Sequence, residues 1–336
     1  MFLSAVSIER ALDSVVEQGR EDVETLCIDD GSPDSSAEIV LRRAEADPCI
    51  RLLRLERNSG QGVARNTGLD AARGDYIVFL DADDTLLPGS LDQIAKAVQS
   101  LPDVVFIGCE EEKRGRLSAM PGGELLSSIA RDGRWRVGDH PEVLFFAPSP
   151  WSKVYRREFL NRHSLRFPGG VFEDIPWSAL TTVLAESIAA VPSSCYRYVT
   201  GESGSSTTTT RHERNLVRVE QVRRIREGCD IEQLPRSVQA ALGALAAIHL
   251  IWANRAAYRT LPEGAEVHFF RESAEELRWW SDHVPPLGRL STSVLMADKD
   301  REFFARALLT GSFERWTRAL ATHAKRRRFR RLFGGK

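Results

Sequence analysis

The sequence has few cysteines and no long apolar run, and both absences exclude whole classes of protein. Its 336 residues include five cysteines, none of them in a Cys-x-x-Cys pair. That pattern argues against a structural zinc site and a disulfide framework, and it fits a reducing compartment. No window approaches the roughly 20 apolar residues of a membrane span. Residues 1–6 lack the basic start and apolar core of a signal peptide. We therefore expect a cytoplasmic protein.

Net charge is also nearly absent. The formal charge is -1 at pH 7, so no overall field attracts nucleic acid or a membrane, and we expect no nucleic-acid partner. Hydrophobic residues make up 42% of the chain and charged residues 28%, as in soluble globular proteins. The length suffices for one large domain and an appended one.

Short apolar segments alternate with helical patterns over residues 20–107. The apolar segments lie at residues 24–28, 50–55, 76–80 and 104–107. This alternation indicates right-handed βαβ units and a parallel, doubly wound α/β sheet.

Carboxylates directly follow two of these segments. Asp29 and Asp30 follow the first, and Asp81, Asp83 and Asp84 follow the third, at the edge where open α/β sheets bind ligands. Crowded carboxylates repel one another unless something positive lies between them. A hard divalent cation, Mg²⁺ or Mn²⁺, prefers oxygen ligands and commonly bridges phosphates. The pattern therefore predicts a metal site.

One other interpretation of residues 81–84 stays open, in which they form a solvated turn that caps the next helix. A calcium loop that starts at Asp81 is excluded. Its sixth position is Leu86 instead of glycine, and its twelfth is Asp92 instead of glutamate.

Three motifs together resemble the inverting family 2 glycosyltransferases of GT-A fold, many of which build bacterial cell-wall and capsular polysaccharides. The motifs are IDDGS at residues 28–32, NSGQGVARNTG at residues 58–68 and FLDADD at residues 79–84. Their order and spacing match over roughly residues 5–210. The resemblance implies a Rossmann-like α/β fold, with a mostly parallel sheet flanked by helices. We assign residues 1–212 to this domain and residues 213–336 to an α-helical C-terminal extension.

The resemblance also implies a binding site for a nucleotide-sugar donor. Asp29 and Asp30 would contact the base, usually uracil. Arg65 would lie near the base or the diphosphate, and Asp81 would reach the ribose.

A divalent metal, Mn²⁺ or Mg²⁺, is implied beside this donor. Asp83 would be its main protein ligand, and Asp84 would help shape the loop. A metal-bound diphosphate is a good leaving group because its charge is neutralised as it departs.

Inverting transfer needs one carboxylate to take the proton from the attacking hydroxyl. By resemblance, Asp174 would be that base, with Glu173 as its neighbour or substitute. The alternative is that both residues only open the helix predicted at residues 175–186, where the helix dipole favours acids.

Further contacts are predicted near this site. Trp151 is predicted to stack on a sugar or to fill the core, and Lys153 to bind phosphate or to lie on the surface. The polar loop at residues 201–210 has the composition of a lid, closed by Arg211 and His212. A solvated linker is the alternative for that segment.

One departure from the family concerns the first strand. Most relatives begin with a central strand rich in valine and isoleucine that ends in a Pro-x-Tyr-Asn turn. Met1 falls where that turn would finish. We expect a late start or a truncation. The alternatives are that another segment fills the gap or that catalysis is impaired.

The C-terminal tail is basic with interspersed apolar residues, KRRRFRRLF at residues 325–333. Such a segment can lie on the anionic inner face of a membrane, or it is a solvated or nucleic-acid-attracting tail. Family acceptors are often lipid-linked or wall-bound, which favours peripheral membrane contact.

The sequence thus predicts metal-assisted, inverting transfer of a hexosyl or N-acetylhexosaminyl group. The donor would be a UDP-sugar, and the acceptor a hydroxyl of a glycan or polyol phosphate. Two alternatives stay open. One is a nucleotide-sugar-forming nucleotidyltransferase, which would need a glycine-rich basic loop that the sequence does not show. The other is a non-catalytic glycan-binding or scaffold relative.

Overall fold

The structure is a computed structural model that describes residues 1–201, 212–285, 308–318 and 320. It divides the chain into two compact units, Met1–Thr208 and Thr209–Lys336. Residues 202–211 of the predicted lid and all of the basic tail lie outside the described residues.

Strands and helices alternate in the first unit, as predicted. Its strands are β1 Thr25–Asp29, β2 Ile50–Arg54, β3 Tyr76–Val78, β4 Thr85–Leu86, β5 Val104–Lys113, β6 Arg116–Ala119, β7 Lys153–Arg156 and β8 Ile188–Thr200. Its helices are α1 Ile8–Val16, α2 Ser36–Ala46, α3 Gln61–Ala71, α4 Ser90–Val98, α5 Gly123–Ile129, α6 Arg157–Arg162 and α7 Asp174–Val183.

The strands form two sheets, and their pairing corrects one expectation. β1 and β2 form a parallel two-stranded sheet, and a second sheet has the order β3-β7-β5-β8-β4, with β6 paired to β5. Within the second sheet only β5 and β8 run parallel; the other pairs are antiparallel. The prediction of a mostly parallel sheet was therefore wrong, because β7 enters between β3 and β5 in the opposite direction.

β1 and β3 belong to different sheets, and the predicted absence of a strand stays a prediction. Met1 lies against β1: its amino group donates to the Ile28 carbonyl at 2.6 Å, and its own carbonyl accepts from the Asp30 N–H at 2.9 Å. Burial lowers the pKa of this amino group, while the carboxylates of Asp81 and Asp29 act to raise it. The N-terminus thus lies within the electrostatic field of the acidic strand ends.

The first unit is held together around β5. Val104, Val105, Phe106 and Ile107 have no exposed surface, because β7 and β8 pair with both edges of this strand. A strand that is apolar on both faces suits such a central position.

The second unit is helical, as predicted. Its main helices are α8 Arg218–Glu227, α9 Arg236–Thr260 and α10 Ala265–His283. Contrary to the sequence analysis, residues Arg236–Tyr258 are long and apolar enough to cross a membrane by length and composition. However, 72% of the apolar window is buried inside the structure, as in the core helix of a globular unit.

Candidate active site

Arg65 is the centre of the acidic cluster. Its Nη2 lies 3.0 Å from Asp81 Oδ1, and its Nη1 lies 3.0 Å from Glu173 Oε1. The Arg65 side chain is only 9% exposed. Burial lowers the pKa of Arg65, but the carboxylates of Asp81 and Glu173 outweigh it and leave the pKa raised. One guanidinium therefore joins the end of β3 to the start of α7.

Helix α3 positions Arg65 through two close contacts with residues 167–173. The Asn66 side chain donates to the Phe167 carbonyl at 2.9 Å and accepts from the Phe167 N–H at 2.8 Å. Gly62 allows the approach, because a Cβ there would lie 2.9 Å from the Pro168 carbonyl oxygen. The NSGQGVARNTG motif thus packs against the segment that carries Glu173.

Asp30 and Asp29 organise the loops at the end of β1. The two carboxylate oxygens of Asp30 accept the N–H groups of Ser59 and Gly60, at 2.7 and 2.9 Å. Asp29 accepts the Ser32 N–H at 3.0 Å. Its other oxygen lies 3.0 Å from Arg54 Nε, without the alignment of a hydrogen bond. Both buried carboxylates therefore shape loops here, and their predicted contact with a base stays a prediction.

Asp84 is buried and holds the loop of residues 81–84 in place through hydrogen bonds to β8. Its carboxylate accepts the Tyr196 hydroxyl at 2.6 Å and the Val199 N–H at 2.7 Å, while the Tyr196 oxygen accepts the Asp81 N–H at 3.1 Å. Burial raises the pKa of Asp84 to about 8, and neighbouring Asp81 adds to the rise. Two fixed donors and the burial make Asp84 a structural carboxyl group rather than a surface ligand.

The set of side chains that could act as metal ligands is therefore small. Asp81 Oδ1 also accepts the Gln61 amide at 3.1 Å, and Arg10 donates to the backbone carbonyl of Asp83 at 3.0 Å. Within the described residues no group of three or more His, Cys, Asp or Glu side chains is arranged to hold a metal. Mg²⁺ commonly binds through one or two carboxylates plus substrate phosphates. Asp83, with Asp81 beside it, fits that mode.

Glu173 and Asp174 have different environments. Glu173 is paired with Arg65 and its side chain is 8% exposed; burial raises its pKa, against the effect of Arg65. Asp174 is the first residue of α7 and is partly exposed. The N-terminal end of a helix stabilises an anion. Asp174 is also the more exposed residue of the two, although its Oδ1 is buried.

Two predicted contact residues lie in the core instead. Trp151 is 4% exposed and stacks on Tyr196 with ring centroids 4.5 Å apart, which confirms core packing. Lys153 has no exposed surface, and its Nζ donates to the Ala147 carbonyl at 2.8 Å. Burial lowers its pKa to about 7. The phosphate-binding and surface interpretations of Lys153 were both wrong, since β7 is enclosed by its neighbours.

The remaining predicted contacts are not tested. Arg211 lies outside the described residues, and His212 begins a short 3-10 helix, His212–Val217.

Sequence reasoning missed the side chains that support the acidic loop. Tyr196, Gln61 and Arg10 each contact it directly. Gln61 could have been found from its place between the two glycines of the second motif. Tyr196 and Arg10 are distant in sequence, and no local pattern marks them.

Replacement of Tyr196 by Phe is expected to destabilise the first unit by about 1–3 kcal/mol, because buried Asp84 loses a donor. The measurement is urea denaturation together with hydrogen exchange of the β5 amides. The matched control is Tyr198→Phe, whose ring also stacks on Trp151 and whose hydroxyl has no described partner. Equal stability of the two variants would show that the Tyr196 hydroxyl is dispensable.

Comparison with known proteins finds that this chain is similar to glycosyltransferases. Residues 2–161 match the family described as Glycosyl transferase family 2. The chain is 31% identical over 195 residues to glycosyltransferase EpsJ of Bacillus subtilis, covering 57% of this chain and 56% of EpsJ. It is 32% identical over 211 residues to succinoglycan biosynthesis protein ExoO of Rhizobium meliloti, covering 59% and 58%. The chain thus spans somewhat more than half the length of these relatives.

Solved structures show the fold. Staphylococcus aureus TarS 1-349 in complex with UDP-GlcNAc superposes with a TM-score of 0.72 at 17% identity, covering 97% of this chain and 90% of that chain. A mannosyltransferase of Pyrobaculum calidifontis in complex with GDP-Man and Mn²⁺ gives 0.52 at 19% identity, covering 100% and 86%. The predicted GT-A, Rossmann-like α/β fold with a helical C-terminal region is confirmed.

Proposed function

We propose that this chain, whose residues 2–161 match the family described as Glycosyl transferase family 2, transfers a sugar from a nucleotide-sugar donor to a hydroxyl of a glycan acceptor, with inversion at the anomeric carbon. The Arg65 bridge carries this proposal. It joins Asp81, at the predicted nucleotide end of the site, to Glu173, next to the predicted base. The structure brings together two motifs separated by about 90 residues of sequence.

The donor is proposed to be a UDP-sugar. Asp81 would accept the ribose hydroxyls, and the loop held by Asp30 would surround the base. This choice is supported by the TarS complexes, which contain UDP-GlcNAc and UDP. Arg65 is already engaged by two carboxylates, so we assign it to positioning Asp81 and Glu173 rather than to binding the diphosphate.

A divalent metal would be held by Asp83, beside Asp81, and completed by the donor diphosphate. When bound, it supplies positive charge that stabilises the leaving nucleoside diphosphate. The protein's own contribution is to hold the Asp83 loop, through Arg10 on its backbone and Asp84 beneath it.

Asp174 is proposed to take the proton from the acceptor hydroxyl as that oxygen attacks the anomeric carbon. Partial exposure of the residue leaves it within reach of an acceptor, and its place at the start of α7 lets the helix N-terminus stabilise its anion. Glu173 is less suited to this role, because its burial and its ion pair with Arg65 keep the carboxylate away from an acceptor hydroxyl.

The acceptor is proposed to be a glycan or a lipid-linked glycan. The relation to a succinoglycan biosynthesis protein supports a polysaccharide. The basic tail at residues 325–333 would then keep the chain at the inner face of a membrane.

Calorimetric titration of UDP into the whole chain tests the donor site. Binding is expected to be at least about tenfold tighter with Mn²⁺ than without it, because the metal links the diphosphate to Asp83. Asp83→Ala is expected to abolish this metal dependence. The control is Asp70→Asn, a surface carboxylate paired with Arg166, which should behave as the unaltered chain. Binding of UDP with equal affinity in all conditions would reject the metal assignment, and no UDP binding at all would reject the UDP donor site.

A further inference from the structure

A second cleft lies in the first unit, at the edge of the sheet opposite Asp81. Its volume is about 510 Å³. It is lined where β5 and β8 begin, by Asp103 and Ser187, and where β7 ends, by Arg156. Since Arg156 pairs with Tyr76 at the start of β3, while Asp81 follows the end of β3, the cleft is separate from the donor site.

Four guanidinium groups line this cleft, and they come from two stretches of sequence, residues 134–136 and 156–162. Arg134 and Arg136 lie on the loop after α5, Arg156 ends β7, and Arg162 ends α6. The Arg136 guanidinium has no partner among the described residues, and Arg134 donates to a neutral acceptor, the Ser100 carbonyl, at 2.7 Å. Two of the four positive charges therefore have no carboxylate at salt-bridge distance.

Two buried polar atoms in the lining also lack partners. Trp135 Nε1 and Ser187 Oγ make no hydrogen bond within the described part of the chain. The backbones of Trp135 and Ile188 form a two-residue bridge, so Trp135 and Ser187 lie on neighbouring backbone segments. A buried polar atom without a partner costs free energy, and both atoms belong to residues that line the cleft.

The acidic residues of the lining do not neutralise the guanidinium groups of Arg134 and Arg136. Asp103 is 4% exposed, and its two oxygens are used by Arg162 at 3.5 Å and by the Glu186 N–H at 3.0 Å. Asp139 accepts the Arg136 backbone N–H at 2.9 Å. Asp139 and Glu186 are exposed at the rim, where carboxylates can accept hydrogen bonds from hydroxyl groups.

We propose that this cleft binds a sugar unit that carries an oxyanion. The guanidinium groups of Arg134 and Arg136 pair with the anion, and the rim carboxylates accept the sugar hydroxyls. Its volume suits one or two sugar units. As a subsite for an anionic unit of the acceptor or product chain, it rests on the proposed function, whereas binding itself does not require transfer.

The anion has two chemical sources, a uronate and a sugar phosphate. The test titrates the whole chain with glucuronate, glucose 6-phosphate, inorganic phosphate and glucose, without donor. The indole N–H resonance of Trp135, identified by its loss in Trp135→Phe, reports occupancy of the cleft. At least one sugar acid is expected to shift this resonance and to bind about tenfold more tightly than glucose and inorganic phosphate.

Arg136→Gln is expected to weaken that binding by about tenfold and to leave UDP affinity unchanged. Arg116→Gln is the matched control, because Arg116 is an exposed arginine on β6, away from the cleft. Glucose binding as tightly as both sugar acids overturns the anion assignment, and phosphate binding as tightly overturns the sugar assignment. Equal affinities in Arg136→Gln and Arg116→Gln overturn the site. Since UDP titration is independent, failure of the cleft and failure of the donor site are distinguished.

Discussion

Replacement of Asp174 by Asn is expected to lower the rate of glycosyl transfer by about 10²- to 10⁴-fold, the usual contribution of a positioned general base. The amide keeps the size of the side chain but cannot accept the hydroxyl proton. UDP affinity is expected to stay within about threefold of the original value, because the nucleotide groups lie on other elements. Single-turnover transfer and calorimetry on the same samples measure both quantities.

Glu173→Gln is the matched comparison for this variant. Glutamine can still accept a hydrogen bond from Arg65, so the helix start and the Arg65 geometry are retained. We expect a smaller loss of transfer rate than in Asp174→Asn. The reverse order, with Glu173→Gln inactive and Asp174→Asn near normal, would assign the base to Glu173. Near-normal transfer by both variants would exclude the pair from proton transfer.

Replacement of Arg65 by Leu is expected to destabilise the first unit by about 3–5 kcal/mol, because it leaves two carboxylates in a buried site without their counter-charge. The Asp81 and Glu173 side chains are 24% and 8% exposed, so water can compensate the first more than the second. Hydrogen exchange of the β5 amides measures the free energy of unfolding for this unit. Donor affinity should fall as well, since Asp81 loses its orientation.

Arg166 provides the control for this effect. It pairs with Asp70 at 2.9 Å, but the two side chains are 36% and 64% exposed, and such surface pairs contribute about 1 kcal/mol or less. Arg166→Leu should therefore change stability far less than Arg65→Leu. Arg65→Lys should fall between them, because one ammonium group cannot reach both carboxylates in the fork geometry of a guanidinium. Similar stabilities for Arg65→Leu and Arg166→Leu would contradict the prediction that Arg65 stabilises the first unit.

The Arg65 cluster also accounts for the spacing of the second motif. Gln61 and Arg65 are four residues apart on α3 and contact the same oxygen of Asp81, as expected for positions on one helix face. Asn66 then ties the helix to the Phe167 backbone. The motif thus supplies two side chains that contact Asp81, those of Gln61 and Arg65. It also supplies Asn66, which holds the segment that carries Glu173.

The sequence by itself determined the class of fold and the order of the elements, and it named most of the residues that the structure brings together at the acidic strand ends. Apolar segments of strand length alternate with helical patterns, and this local signal depends only on neighbouring residues. The acidic strand ends and the three spaced motifs were sufficient to show the resemblance to family 2 glycosyltransferases, because each motif is contiguous. Core packing of Trp151 was also within reach, since a large apolar ring is rarely left exposed.

Only the tertiary structure decided which of these residues act together. The pairing of Arg65 with both Asp81 and Glu173, and the support of Asp84 by Tyr196, join residues up to 112 positions apart. No periodicity encodes such contacts, because they depend on where β7 and β8 enter the sheet. The same is true of Lys153, a charged residue that burial on β7 removes from solvent, and of the arginine-lined cleft, whose lining residues come from four stretches of sequence. Charge and size can be read from a sequence, but desolvation and partner distance exist only once the chain has folded.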